Sequence, residues 1–253
     1  MCADDCVVQL VTERPSFDMS PAPSPAPTPD PAQALWTAVD QYIDSNLIPP
    51  DPVLEEALAA NARDGLPSID VTPSQGKFLY LLAKISGAKT ILEVGTLGGY
   101  STIWLARALP PNGKLITLEI LPKHAEVAAK NIERAGLTSL VEQRVGPALD
   151  LLAHLHEIED AGPFDLIFID ADKANNANYH DWALRLSHPG TVIITDNVIR
   201  EGAILNPDDP DPDVQGTRRL FEKLGAEPRV EATALQTVGS KKYDGFTIAL
   251  VKG

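Results

Sequence analysis

The chain has 253 residues, a length that suits one domain of the larger α/β kind. Its 44% hydrophobic and 22% charged residues are those of a globular protein, which excludes wholesale disorder and fibrous or collagen-like architectures. Thirty-five acidic against 21 basic residues leave a formal net charge of −14, which argues against nucleic acid or an anionic membrane as partner, and no apolar run reaches the roughly 20 residues that a membrane span requires.

Cys2 and Cys6 are the only cysteines. They lie too close together to staple a fold, so a reducing compartment is expected. The opening MCADDCVVQL carries acids where a secretory signal needs bases and lacks the Arg-rich character of a transit peptide, which predicts a cytoplasmic protein. Between Pro15 and Pro31 prolines alternate with Ala, Ser and Thr. Residues 1–31 are therefore expected to form a disordered Pro-rich tail, and residues 32–253 a single domain.

From Ala32 the pattern becomes helical, with Leu35, Trp36, Val39, Tyr42 and Ile43 on one face. Asp51-Pro52 starts a second accessory helix. Thr72-Pro73 reads as an N-cap followed by Pro at the first helical position. The helix it opens runs through Phe78, Leu79, Leu82 and Ile85 and ends near Gly87.

Apolar strand-like runs follow at 90–95, 114–120, 139–145, 164–170 and 191–197, separated by helical patterns. Strands alternating with helices predict right-handed crossovers and a parallel sheet covered on both faces, with ligands at the carboxyl ends of the strands. Runs at 229–235 and 246–251 predict two further strands at one edge, one of them antiparallel.

The first strand ends in Glu93-Val94-Gly95-Thr96-Leu97-Gly98-Gly99-Tyr100-Ser101 and runs into a helix. Such a turn presents bare backbone and a helix N-terminus to a ligand. Glu119, at the end of the second strand, is placed to accept both hydroxyls of a ribose, a pairing that serves NAD and S-adenosylmethionine equally. The spacing Gly95-x-x-Gly98-Gly99 lacks the G-x-G-x-x-G of a pyrophosphate site, and Glu93 adds a carboxylate that would repel phosphates but tolerate a cationic methionyl group. Gly146-Pro147-Ala148 leaves room for an adenine, or is simply a turn opening a helix.

The fourth and fifth strands deliver Asp170, Asp172 and Lys173 beside Asp196 and Asn197. Carboxylate and amide oxygens without His or Cys form a hard-ligand set suited to Mg²⁺ or another divalent cation such as Mn²⁺ or Ca²⁺. The same residues could instead cap the helices that follow. Lys173 is either a solvated lysine balancing these acids or a catalytic amine.

At this point the chain resembles the class I, cation-dependent O-methyltransferases, the family that includes the caffeoyl-coenzyme A and catechol O-methyltransferases. The resemblance spans roughly residues 32–253 and rests on VTPSQGKFL, ILEVGTLGGYST, the acid in TLEI, GPAL, FIDADK, TDNV and YDGFTIALV. It implies a Rossmann-like fold, with a mainly parallel seven-stranded sheet, helices on both faces and an antiparallel edge strand. It also implies Val71, Glu93, Gly95, Ser101, Glu119, Ala148 and Asp170 as contacts of S-adenosylmethionine, Asp170, Asp196 and Asn197 as metal ligands, and Lys173, assisted by Asp170, as the base. A homodimer is implied as well.

Two departures matter. Plant enzymes of this family that act on coenzyme A esters commonly read D-A-D-K-D-N-Y, whereas residues 170–176 here are DADKANN. Arg200 stands where those enzymes usually carry Trp. The expectation is therefore a methyl transferase acting on one hydroxyl of a small vicinal dihydroxy aromatic. A nicotinamide-dependent oxidoreductase and a non-catalytic nucleoside-binding module are the alternatives.

Overall fold

The computed structural model describes residues 31–159 and 161–253, so the Pro-rich tail lies outside the described residues apart from Pro31. That proline opens the first helix, α1 (Pro31–Leu47), where its fixed φ and missing N–H cost nothing. Two more helices precede the sheet, α2 (Pro52–Arg63) and α3 (Pro73–Ser86), and each begins at the cap read from the sequence. Asp51 accepts from the amides of Val53 and Leu54. Thr72 accepts from the amide of Gln75, and Gly87 closes α3 in the left-handed conformation. Leu79 on α3 is buried, while Ile85, expected on the same apolar face, is exposed.

The sheet then builds by alternation: β1 (Thr90–Val94), α4 (Tyr100–Ala108), β2 (Lys114–Glu119), α5 (Pro122–Arg134), β3 (Val141–Val145), α6 (Ala148–Glu157), β4 (Phe164–Ile169), α7 (Asn176–Arg185), β5 (Ser187–Asp196), α8 (Pro212–Ala226), β6 (Val230–Gly239) and β7 (Lys242–Val251). Short 3₁₀ turns at Lys173–Asn175 and Arg200–Leu205 follow β4 and β5. The strand order is β3-β2-β1-β4-β5-β7-β6. β1 to β5 are parallel, whereas β7 runs antiparallel between β5 and β6.

Alternate strand residues feed two cores. Ile91, Leu166, Phe168 and Ile194 pack with α3 and α4, whereas Leu92, Ile167, Ile169 and Ile193 pack with α6 and α7. Burial on both faces explains why these strands read as continuous apolar runs rather than alternating ones. The β6–β7 hairpin extends to Gly239↔Lys242, well past the predicted ends of both strands. α1 clamps it: Gln33 donates to the Gly239 carbonyl at 2.9 Å, and Asp40 accepts from the Ser240 amide at 2.6 Å. Although α1 forms as predicted, it buries none of its residues. No helix among the described residues is long and apolar enough to cross a membrane.

Candidate active site

The order β2-β1-β4-β5 places the switch point of the sheet between β1 and β4, where connections depart to opposite faces and leave a crevice. Gly95 leaves β1 with φ 101°. A Cβ there would lie 2.1 Å from the carbonyl oxygen of Asp170, so glycine is what lets the two strand ends approach. A cavity of about 450 Å³ opens above them.

Val71, Gly95, Ser101, Glu119, Ala148 and Asp170 all line this cavity, as expected of cofactor contacts. Glu119 is almost wholly buried. Its Oε2 accepts from the amides of Leu97 at 2.8 Å and Thr96 at 3.3 Å, and its Oε1 from that of Leu121 at 2.9 Å. It therefore fixes the glycine turn while still facing the cavity. The two amides fill Oε2, while Oε1, with one amide, keeps lone-pair capacity for a ligand hydroxyl.

Glu93 is the exception. It does not line the cavity and is completely buried behind the turn, accepting from Ser101 at 2.6 Å, Thr102 at 2.5 Å and Thr117 at 2.7 Å. Strand alternation causes this, because Glu93 shares a face with Ile91 and points toward α4. Burial pushes its carboxyl up to about 7, against the pull of the three hydroxyls. Its place in the site is thus to support Ser101 from behind.

At the other end, Lys173 is buried and its Nζ lies 2.6 Å from Asp170 Oδ1. Asp196 is buried too, with Oδ2 accepting from Gln75 at 2.6 Å and Oδ1 from the Asn197 amide at 2.8 Å. Burial, reinforced by the charge of Asp170 and opposed by that of Lys173, pushes the Asp196 carboxyl up to about 7. Asp172 does not join them as the sequence suggested. It turns to Tyr179 and to Asn175, whose Nδ2 donates at 2.7 Å, and so ties the loop to α7.

Among the described residues no group of three or more His, Cys, Asp or Glu is gathered as metal ligands. Asp170, Asp196 and Asn197 supply two acids and an amide. This oxygen set fits a hard divalent cation, and the close approach of an ammonium to Asp170 displays the same demand for positive charge.

Several wall residues carried no sequence signal. Asp70, beside Val71, lines the cavity with its carboxyl pushed up by burial and held by Asn61 at 2.8 Å. Gln75 lay within a quoted motif but showed its role only through the contact with Asp196. Asn197 borders a second cavity of about 270 Å³, lined in part by Gln75, Phe78, Asp196 and Phe246.

Arg200 lies on the wall of the larger cavity with Lys173, Asn197 and Asp213. It sits on three successive left-handed residues, Arg200, Glu201 and Gly202, with φ of 54°, 53° and 87°. The two non-glycine positions cost about 1–2 kcal/mol each. Asp244 offsets part of that by accepting from the amides of Ile199, Arg200 and Gly245 through one oxygen.

Sheet order and glycine turn define a doubly wound α/β protein with a nucleoside-type crevice, closed at its far end by an acidic pair beside a buried lysine. The family model described as O-methyltransferase matches residues 45–251, and the chain belongs to that family. Its sequence is 57% identical over 218 residues to the catechol O-methyltransferase of Niastella koreensis, covering 86% of this chain and 98% of that protein. It is 54% identical to the catechol O-methyltransferase of Mycobacterium tuberculosis, over 85% and 95% of the two chains. The crystal structure of the Bacillus cereus O-methyltransferase in complex with SAH superposes with a TM-score of 0.86 at 60% identity, covering 87% of this chain and 100% of that one.

Proposed function

We propose that this O-methyltransferase moves a methyl group from S-adenosylmethionine to one hydroxyl of a catechol-type aromatic, with a divalent cation such as Mg²⁺ held by Asp170, Asp196 and Asn197. The observation that carries the reading is a single cavity lined at one end by the glycine turn and Glu119 and at the other by Asp170, Lys173 and Asn197. The catechol O-methyltransferase names of relatives sharing more than half their residues with this chain support the acceptor class.

Bound S-adenosylmethionine supplies an electrophilic methyl group, and a cation at the three oxygen ligands supplies Lewis-acid polarisation of adjacent acceptor oxygens. The chain's own residues do the rest. Glu119 holds the turn and offers Oε1 to a ribose hydroxyl, and Asp70 offers a carboxylate to the cationic methionyl end. Gln75 and the Asn197 amide fix Asp196. Asp170 orients Lys173, whose Nζ, in its neutral amine form, takes the proton from the attacking hydroxyl and becomes the ammonium that Asp170 pairs. With cofactor and acceptor filling the cavity, water is displaced from the reacting atoms while opposite charges neutralise. Exposure of Leu35, Val39 and Tyr42 along α1, at 63%, 47% and 70%, supports pairing with a second copy of the chain.

The test is methyl transfer from S-adenosylmethionine to a panel of catechols, followed by mass spectrometry, before and after dialysis against EDTA. Methylated catechol is expected, lost on chelation and restored by Mg²⁺. Absence of product with every catechol overturns the acceptor assignment, and full turnover in excess EDTA overturns the metal assignment.

A further inference from the structure

The methyl-transfer machinery leaves Arg200 unused, although the fold holds this residue in a strained conformation. Its guanidinium makes no side-chain hydrogen bond among the described residues. Its nearest counter-charge is Asp213 Oδ2 at 3.7 Å, beyond hydrogen-bond reach. Asp213 spends its other oxygen on the Ala174 amide at 3.0 Å, so Arg200 stands one side chain away from the loop that carries Lys173. α8 presses on that loop: a Cβ on Gly216 would lie 2.2 Å from the Lys173 carbonyl oxygen. This packing seats Asp213, in the first turn of α8, against the loop that carries Lys173, and Arg200 faces that junction from its own left-handed turn.

The charges around it sharpen the point. The cavity wall carries Asp70, Glu119, Asp170, Asp172 and Asp213, in a chain of net charge −14. Lys173 is already paired with Asp170 at 2.6 Å. An anionic acceptor would be repelled from such a cavity without a dedicated cation, and of the lysines and arginines among the described lining residues Arg200 has donors to spare. A guanidinium presents two parallel N–H groups that match a carboxylate.

We propose that Arg200 is a specificity-determining residue for the acceptor, binding a carboxylate carried by the catechol ring or its short side chain. The preferred substrates are then catechol carboxylic acids rather than neutral or cationic catechols. This rests on the catechol reading above and deepens it.

The experiment compares kcat/KM for 3,4-dihydroxybenzoate and its neutral near-isostere 3,4-dihydroxybenzamide in wild type, Arg200→Met, Arg200→Lys and Asp213→Asn. Wild type prefers the acid. Arg200→Met lowers the acid-to-amide preference by about 10- to 100-fold, the usual loss for a charge-assisted contact, chiefly through KM for the acid. Arg200→Lys falls between, since it keeps the charge without the fork. Asp213→Asn shifts the preference the opposite way, because it removes the competing carboxylate while its amide oxygen can still accept from Ala174. A wild type that favours the amide, or an Arg200→Met preference within twofold of wild type, overturns the proposal and directs the substituent to the second cavity. If wild type methylates neither compound nor any other catechol, the acceptor class itself fails and this proposal falls with it.

Discussion

Glu93→Gln tests how the buried acid behind the glycine turn shapes stability. Burial raises the Glu93 carboxyl from 4.5 to about 7, so the native state binds its proton more tightly than the unfolded chain does. The stability it contributes is fully present below pH 4.5 and is lost as pH rises through about 7. At about 1.4 kcal/mol per unit, that interval amounts to roughly 3 kcal/mol. Gln cannot ionise, yet it keeps one acceptor oxygen, and its amide can donate to the surrounding hydroxyls. Urea denaturation of both proteins between pH 4.5 and 8.5, followed by tryptophan fluorescence and circular dichroism, isolates the effect. Asp196 is raised in the same direction, but it is present in both proteins and cancels in the difference. The variant is expected to start about 1 kcal/mol less stable at low pH, having weakened one hydrogen bond, to overtake wild type roughly one pH unit above the unfolded value of 4.5, and to lead by about 2 kcal/mol near neutrality. Parallel stability curves across the window would falsify the assignment of a proton to buried Glu93.

Glu119→Ala removes three acceptor contacts to the glycine turn and the acceptors facing the cavity. Calorimetric titration with S-adenosylmethionine is expected to show binding weaker by about 1–3 kcal/mol, and unchanged affinity in a folded variant removes Glu119 from the site. Lys173→Met keeps the apolar stem but removes the proton acceptor, so kcat is expected to fall by roughly 10² to 10⁴ while cofactor binding persists. Turnover within about twofold of wild type on every catechol rejects Lys173 as the base.

Most of the fold was legible because its signals are local. Thr72-Pro73 and Asp51-Pro52 cap helices through their own side chains, and strands buried on both faces announce themselves as apolar runs. The far half of the β6–β7 hairpin was not legible. Its residues from Gln236 to Asp244 are largely polar and exposed, and it is held by pairing and by α1, partners more than 190 positions away. In the site, residue types at strand ends identified the right segments but not the direction of each side chain. Glu93 could have been placed by parity, since Ile91 and Glu93 share the α4 face while Leu92 and Val94 share the other. Asp172 could have been read from its spacing of three to Asn175 and seven to Tyr179, the reach of a helical face. No comparable pattern marks Gln75, which meets Asp196 across 121 positions.

The crowding of acids gives Lys173 two duties that must be separated before either is credited. Asp170 raises the carboxyl of Asp196, and it acts on Asp70 in the same sense, so these acids share one field. Lys173 opposes that field from 2.6 Å. In the absence of a bound cation, deleting it leaves a largely buried carboxylate without a counter-charge, a change that destabilises by itself. Lys173→Met therefore lowers stability whether or not Lys173 moves a proton, and its kinetic defect alone does not identify a base. Lys173→Arg divides the two duties, because a guanidinium keeps the positive charge opposite Asp170 but does not give up its proton at working pH. If Lys173 only balances charge, the arginine variant recovers both melting temperature and turnover. If it is the proton acceptor, the arginine variant recovers melting temperature while kcat stays as low as in the methionine variant.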